Sequence, residues 1–277
     1  MHVAVISLPP VYSIFTPSHR GGRGSPLVCL HGFTGTWRTW ELVLPVLERH
    51  HDVLAPTLLG HAGGPPLEGD VSAAVVPDAI ERAMDDAGFA TAHIVGNSLG
   101  GYIAFQLAAR GRADSVVALA PAGGWAQGDE SYKDTARFFA TMQDQMKAAA
   151  PHAEALVASA GGRRQATQFL ATNFEHIPPE LIVHQIVGSA SCSGARPMIE
   201  YAIRDGWYEL EAEKITCPVR IVWGTNDRLL PWPATAARFR DDWFPHADWV
   251  ELEGIGHCPQ LDVPLETAQL IVGFTAR

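Results

Sequence analysis

Cysteine is scarce in this 277-residue chain: Cys29, Cys192, Cys217 and Cys258 are the only four, and no two stand at metal-ligand spacing. So low a count excludes a disulfide scaffold and a cysteine-held metal centre. Neither a metal nor a cofactor is therefore expected. Basic residues are also few, 20 Lys and Arg against 30 Asp and Glu, for a net charge of −10. Without a basic stripe there is no electrostatic footprint for nucleic acid. The acidic body gives strongly anionic substrates no help beyond local cations. No apolar stretch is long enough to span a membrane. The segment Met1–Pro10 is apolar, but it has no basic n-region and its run is too short for a signal peptide, so a cytoplasmic location is expected. Internal repeats and low-complexity tracts are missing as well.

What the chain does have is apolar residues, 47%, with only 18% charged, a balance that suits a globular protein with a sizeable core. Its length fits one large α/β domain. Segments 3–8 and 11–16 read as entry strands. Strands come next at 26–31, 51–57, 92–97 and 115–120, with helices at 37–49 and 72–87 between them. This β-α-β rhythm implies a mostly parallel sheet with right-handed crossovers and helices on both faces. The rhythm breaks at Pro121-Ala-Gly-Gly124, and up to about Asp205 the apolar spacing is helical throughout. Strands resume at 218–223 and 248–252, with helices at 233–243 and 264–276.

Three segments carry chemistry. Ile94-Val-Gly-Asn-Ser98-Leu-Gly-Gly101 is a strand running into Gly-x-Ser-x-Gly, followed by the helical segment Tyr102–Arg110. That is the form of a nucleophile elbow, in which glycines allow a turn tight enough to expose the serine hydroxyl. Gly224-Thr-Asn-Asp227 ends a second strand with a carboxylate. Gly254-Ile-Gly-His257 delivers a histidine after a third. Serine needs a base to become a nucleophile, imidazole titrates near neutrality, and an aspartate can hold its tautomer. The order Ser98, Asp227, His257 places all three at carboxyl ends of strands, where open α/β sheets collect their chemistry. Asp205 and Asp262 compete with Asp227, and Asp262 reads as a residue that caps or precedes the last helix.

On these residues the chain resembles the α/β-hydrolase fold family over nearly its whole length. Leu27-Val-Cys-Leu-His31-Gly-Phe33 resembles the family's oxyanion loop, and Pro56-Thr-Leu-Leu-Gly-His61-Ala-Gly63 its loop after the fourth strand. Gly256-His257-Cys-Pro-Gln-Leu-Asp-Val-Pro264 resembles the loop that presents the triad histidine. The resemblance implies a core of residues 1–123 and 206–277 and a helical cap, 124–205, inserted after the sixth strand. Some relatives carry the acid after that strand, but Ala120-Pro121 stands there. It further implies an oxyanion hole built from the backbone N–H groups of Phe33 and Leu99. Candidate substrate contacts are His31, Asn97, Trp125, Phe138, Met142 and Cys258. Asn97 has two readings, a bond to a neighbouring loop or to a substrate oxygen.

The expected activity is hydrolysis of a small carboxylic ester by a carboxylesterase-like serine hydrolase, with the acyl group carried on Ser98. Haloalkane dehalogenases and epoxide hydrolases of the family use an aspartate at the elbow, so Ser98 argues against both. Alternatives are a carbon–carbon bond hydrolase of ring-cleavage products, a lyase of the menaquinone-pathway type, and a small-molecule receptor on the same fold. The expected partner is a small molecule, and the chain itself is expected as monomer or homodimer.

Overall fold

The computed structural model describes residues 15–206 and 210–276. Its strands are β1 (Ser18–Gly22), β2 (Ser25–Leu30), β3 (His51–Pro56), β4 (Ala92–Asn97), β5 (Ala113–Leu119), β6 (Val219–Gly224) and β7 (Asp248–Leu252). They form one sheet in the order β1-β3-β2-β4-β5-β6-β7. β1 runs antiparallel to β3, and every other pairing is parallel. The expected strand 3–8 lies outside the described residues, as does most of 11–16; residues 15 and 16 are irregular.

Side-chain alternation along the strands explains why this sheet is covered on both faces. In β2, Val28 and Leu30 enter one apolar cluster, while Leu27 and Cys29 enter the other. β4 does the same with Ile94 and Val95, and β5 with Val116 and Val117. Strands buried on both faces read as continuous apolar runs. The helices α1 (Leu44–Leu47), α2 (Val75–Asp86) and α3 (Leu99–Ala109) lie between the early strands. α2 and α3 cover the first face through Ile80, Met84, Ile103 and Phe105. α1 covers the second through Leu44 and Leu47.

The expected helix 37–49 is instead a 3₁₀ turn, Trp37–Trp40, followed by α1. Pro45 accounts for the break. It is tolerated at the start of α1 but lacks the N–H that a continuous helix would require there. The expected helix 233–243 is likewise two short turns, Ala234–Ala236 and Phe239–Trp243, next to Pro231 and Pro233.

Between β5 and β6 no described residue is in a strand, and the chain forms α4 (Tyr132–Ala149), α5 (Ala153–Val157), α6 (Ala160–Thr167), α7 (Pro179–Ala190) and α8 (Ala195–Asp205). This segment comes after the fifth strand of the described sheet. It has its own apolar cluster, and that cluster takes in Cys258 and Leu261 from the far end of the chain. After β7 come α9 (Pro259–Asp262) and α10 (Pro264–Thr275), the latter packed on the second face through Ala268, Ile271 and Phe274. Among the described residues no helix is long and apolar enough to cross a membrane.

Four buried or part-buried imidazoles are built into this frame in their neutral form. His51 lies between the hydroxyls of Ser25 and Thr275, and His93 meets the Ser115 hydroxyl. Burial lowers the pKa of both, and of His31 and His61, that of His61 to about 4. In the unfolded chain these groups take up protons near their ordinary value, so the unfolded state gains protons first as pH falls. Stability is therefore present above that value and is lost below it. Urea unfolding at pH 7 and pH 5 should show the loss, with His61 alone contributing about 2 kcal/mol by pH 5. Equal unfolding free energies at the two pH values would contradict this account.

Candidate active site

β4 runs straight into α3, and the turn leaves no room for side chains on either flank. Ser98 sits at φ 55° and ψ −119°, a region that non-glycine residues seldom occupy. A Cβ on Gly96 would stand 2.2 Å from the Gly100 carbonyl oxygen, and one on Gly100 2.2 Å from the Leu30 carbonyl oxygen. The strained turn is held from several sides. Ser98 N–H donates to the Leu119 carbonyl at 2.9 Å, and the Ser98 carbonyl accepts from the N–H groups of Gly101, Tyr102 and Ala122. Strain kept in place by its surroundings is typical of functional positions.

The carboxyl ends of β6 and β7 bring in the other two residues. His257 Nδ1 donates to Asp227 Oδ2 at 2.7 Å. The second oxygen of Asp227 accepts the N–H groups of Leu229 and Leu230, each at 2.8 Å. This buried carboxylate thus fixes the tautomer of His257 and leaves Nε2 as the basic nitrogen. Nε2 is buried and has no hydrogen-bond partner among the described residues. Ser98 and His257 line the same cavity, although no hydrogen bond joins the resting hydroxyl to Nε2.

The loop that carries Gly32 and Phe33 lies against the serine, since a Cβ on Gly32 would stand 3.2 Å from Ser98 Cβ. Among the described residues neither the Phe33 nor the Leu99 N–H donates to any protein group. Leu99 opens α3, where main-chain donors have no partner in the helix. His31 holds the loop in shape. Its Nδ1 donates to the Gly32 carbonyl at 2.8 Å, and its Nε2 accepts the Leu58 N–H at 2.9 Å. Both nitrogens are engaged, and His31 lines neither of the cavities that open at Ser98. It orders the loop from outside both cavities.

Asn97 lines the first cavity, and of its two readings the bond to a neighbouring loop is the one seen in the structure. Its amide donates to the carbonyls of Leu119 and His257, both at 3.0 Å. Its oxygen accepts from Cys258 Sγ at 3.2 Å and Gln260 Nε2 at 3.0 Å. All four bonding positions of the amide are used. Asn97 therefore ties the serine turn to the histidine loop and has nothing left for a substrate oxygen. The Cys258 thiol is spent on the same bond, and burial raises its pKa well above the ordinary value.

Sequence reasoning missed the role of Asp262. This carboxylate is 1% exposed and accepts the N–H of Gly256 at 2.6 Å, of Thr172 at 2.8 Å and of Asn173 at 2.7 Å, together with the Asn173 side-chain amide. It fastens the loop after α6 to the residue preceding His257. Cys258 N–H donates to the Leu170 carbonyl, and His176 Nε2 to the Leu261 carbonyl, across the same seam. No local sequence signal marks contacts made between such distant parts of the chain.

Two cavities, of about 130 and 140 Å³, meet at Ser98. The first is lined by His257, Asn97 and Cys258 and by Phe138 and Met142 of α4, four of which belong to the expected set of contacts. The second is lined by Leu99, Tyr102 and Trp125, with α4 and α8 opposite. Phe33 and Phe139 border both, ring to ring at 5.2 Å and 88°.

A profile described as alpha/beta hydrolase fold matches residues 25–264. The chain belongs to this family. Among the family's curated proteins it is 31% identical to epoxide hydrolase EphH of Mycobacterium tuberculosis over 206 residues, 74% of this chain and 95% of the relative. It is 36% identical to 2-hydroxymuconate semialdehyde hydrolase of a Pseudomonas species over 101 residues, 35% of this chain and 36% of the relative. Its fold is also that of a putative lipase from Acinetobacter baumannii, with a TM-score of 0.72 at 23% identity, covering 93% of this chain and 86% of the other.

Asp262 gives this site a direct stability test. In Asp262→Asn an amide group replaces one acceptor oxygen of a buried carboxylate and turns a donor toward main-chain N–H groups, buried at Gly256 and part-buried at Thr172 and Asn173. The change should lower the unfolding free energy by about 3 kcal/mol, as expected for a buried charge-assisted network that loses an acceptor. A denaturation midpoint equal to that of the unmodified protein would show that the seam does not bear on stability.

Proposed function

We propose that the protein is a serine hydrolase that cleaves a small, uncharged carboxylic ester through an acyl intermediate on Ser98. The observation that carries this reading is the state of His257, with Nδ1 bound to Asp227 and Nε2 unpartnered on the cavity that Ser98 lines. The reaction requires the Ser98 hydroxyl to reach Nε2 across the cavity that both residues line. As Oγ attacks the ester carbonyl, Nε2 takes the hydroxyl proton. The negative charge that develops on the carbonyl oxygen falls to the N–H groups of Phe33 and Leu99. Asp227 stays ionised and steadies the imidazolium. The carbon–oxygen bond to the alcohol then breaks, and Nε2 returns the proton to the departing oxygen. Water repeats the sequence on the acyl-serine, which releases the acid and restores Ser98. In this reading segment 124–205 is a cap that roofs the site.

The likeness to a relative named as an epoxide hydrolase supports hydrolysis more broadly, but the elbow chemistry separates the two reactions. Attack by a carboxylate on an epoxide forms an ester, which water can cleave. Attack by Ser98 would form an ether, with no carbonyl for water to attack, and turnover would stop. A serine at this position is therefore matched to acyl transfer.

Ser98→Ala should lower kcat for p-nitrophenyl butanoate by at least about 1,000-fold, in line with removal of a triad nucleophile. Circular dichroism should show that the fold persists. Rapid quenching of the unmodified protein should yield a Ser98 peptide heavier by one butanoyl group. Retained ester turnover in the variant, or sustained turnover of styrene oxide by the unmodified protein, would overturn the proposal.

A further inference from the structure

The two cavities that converge on Ser98 bear on the identity of the substrate, given the serine-hydrolase reading on which this inference rests. We infer that the substrate is an uncharged acyl compound with two apolar arms, the leaving arm seated beside His257 and the acyl arm seated between Trp125 and α8.

Geometry assigns the arms. A carbonyl carbon at Ser98, with its oxygen toward the N–H groups of Phe33 and Leu99, has two remaining substituents that must diverge. Two chambers leave Ser98, with Phe33 and Phe139 on the wall common to both. His257 lines only the first chamber, and Leu99 only the second. The proton that His257 takes from the serine must pass to the departing heteroatom, which therefore sits on the first side. The acyl chain is left the second, under Trp125, Tyr132 and Met198.

Charge sets the class. Among the described residues lining either chamber, His257 is the sole ionisable group apart from the Cys258 thiol and tyrosine hydroxyls. The arginines of the helical segment are elsewhere. Arg137 pairs with Asp134, Arg196 with Asp144 and Arg204 with Asp205. Arg163 donates to the Val157 carbonyl, and Arg164 lies over Phe174. A substrate carboxylate would be buried in either chamber without a cation to pair with, which is strongly unfavourable. This separates the protein from hydrolases acting on anionic ring-cleavage products. Volume sets the size. Each chamber is close to the roughly 150 Å³ cavity that accepts one benzene molecule. One ring, or a chain of similar bulk, fits on each side.

The test uses 4-(methoxycarbonyl)phenyl acetate and 4-carboxyphenyl acetate, which differ in a charge on the leaving arm, and p-nitrophenyl esters from acetate to dodecanoate. For the unmodified protein kcat/KM should be at least 100-fold higher for the neutral member of the pair. It should rise from acetate to hexanoate and fall again by dodecanoate. Gln185→Arg, which places a cation on the first chamber, should narrow the charge preference at least tenfold. Ala136→Trp, which fills the second, should lower the hexanoate-to-acetate ratio at least tenfold, and should leave the charge preference where it was. Equal turnover of the charged and neutral esters would overturn the inference. So would an Ala136→Trp effect on leaving-arm preference instead of acyl length. If no ester is turned over and a fluorophosphonate leaves Ser98 unlabelled, it is the serine-hydrolase reading that fails.

Discussion

The turn at Ser98 is the constraint on which the rest of the structure depends. A left-handed backbone at a serine persists only if its neighbours forbid the alternatives. Here the Leu119, Gly101, Tyr102 and Ala122 main-chain bonds do so from four directions. The same turn requires Gly96 and Gly100, because β2 and α3 approach more closely than any side chain allows. Its consequences are directional. The Leu99 N–H falls at a helix start, where it has no partner within the helix, and two cavities share Ser98 in their walls.

Around that turn the remaining parts are fastened to one another by long-range hydrogen bonds. Asn97, adjacent to the serine, holds the main chain of His257. Asp262, close behind the histidine in the chain, holds the helical segment through Thr172 and Asn173. Thr36, just after the loop of Gly32 and Phe33, is joined to His184 of α7 at 3.0 Å. The helical segment and the loop that carries His257 are therefore tied directly to one another. Displacing one should misplace the other, and small misplacements of reacting groups are costly.

Much of this was legible in the chain. The elbow could be read because its glycines, its β-branched lead-in and its helix are contiguous. Strands β2 to β6 could be read because burial on both faces makes them largely continuous apolar runs, and the edge strand β7 because Trp249, Val250 and Leu252 stand out between acidic residues. β1 could not, since Ser18-His-Arg-Gly-Gly22 is a polar edge strand whose pairing with β3 leaves no apolar pattern. The helix expected over 37–49 ignored what Pro45 does to a helix interior. His31 and Asn97 are the more instructive cases. Residue type and position beside a nucleophile suggest contact with a substrate, yet both side chains are consumed by carbonyls and amides far along the chain. The role of Asp262 was out of reach for the same reason. Long-range hydrogen-bond partners are set by the packed fold and leave no local spacing to read.

The account stands or falls on what happens at the hydroxyl of residue 98 when an acyl-like electrophile arrives. Crystals of the protein treated with a p-nitrophenyl alkylphosphonate measure this most directly. The account predicts a phosphorus–oxygen bond to Ser98 Oγ, with the phosphonyl oxygen about 2.7–3.1 Å from the nitrogens of Phe33 and Leu99. The alkyl chain should lie along Trp125. A phosphonate attached to any other side chain, or a phosphonyl oxygen directed away from both nitrogens, would contradict it.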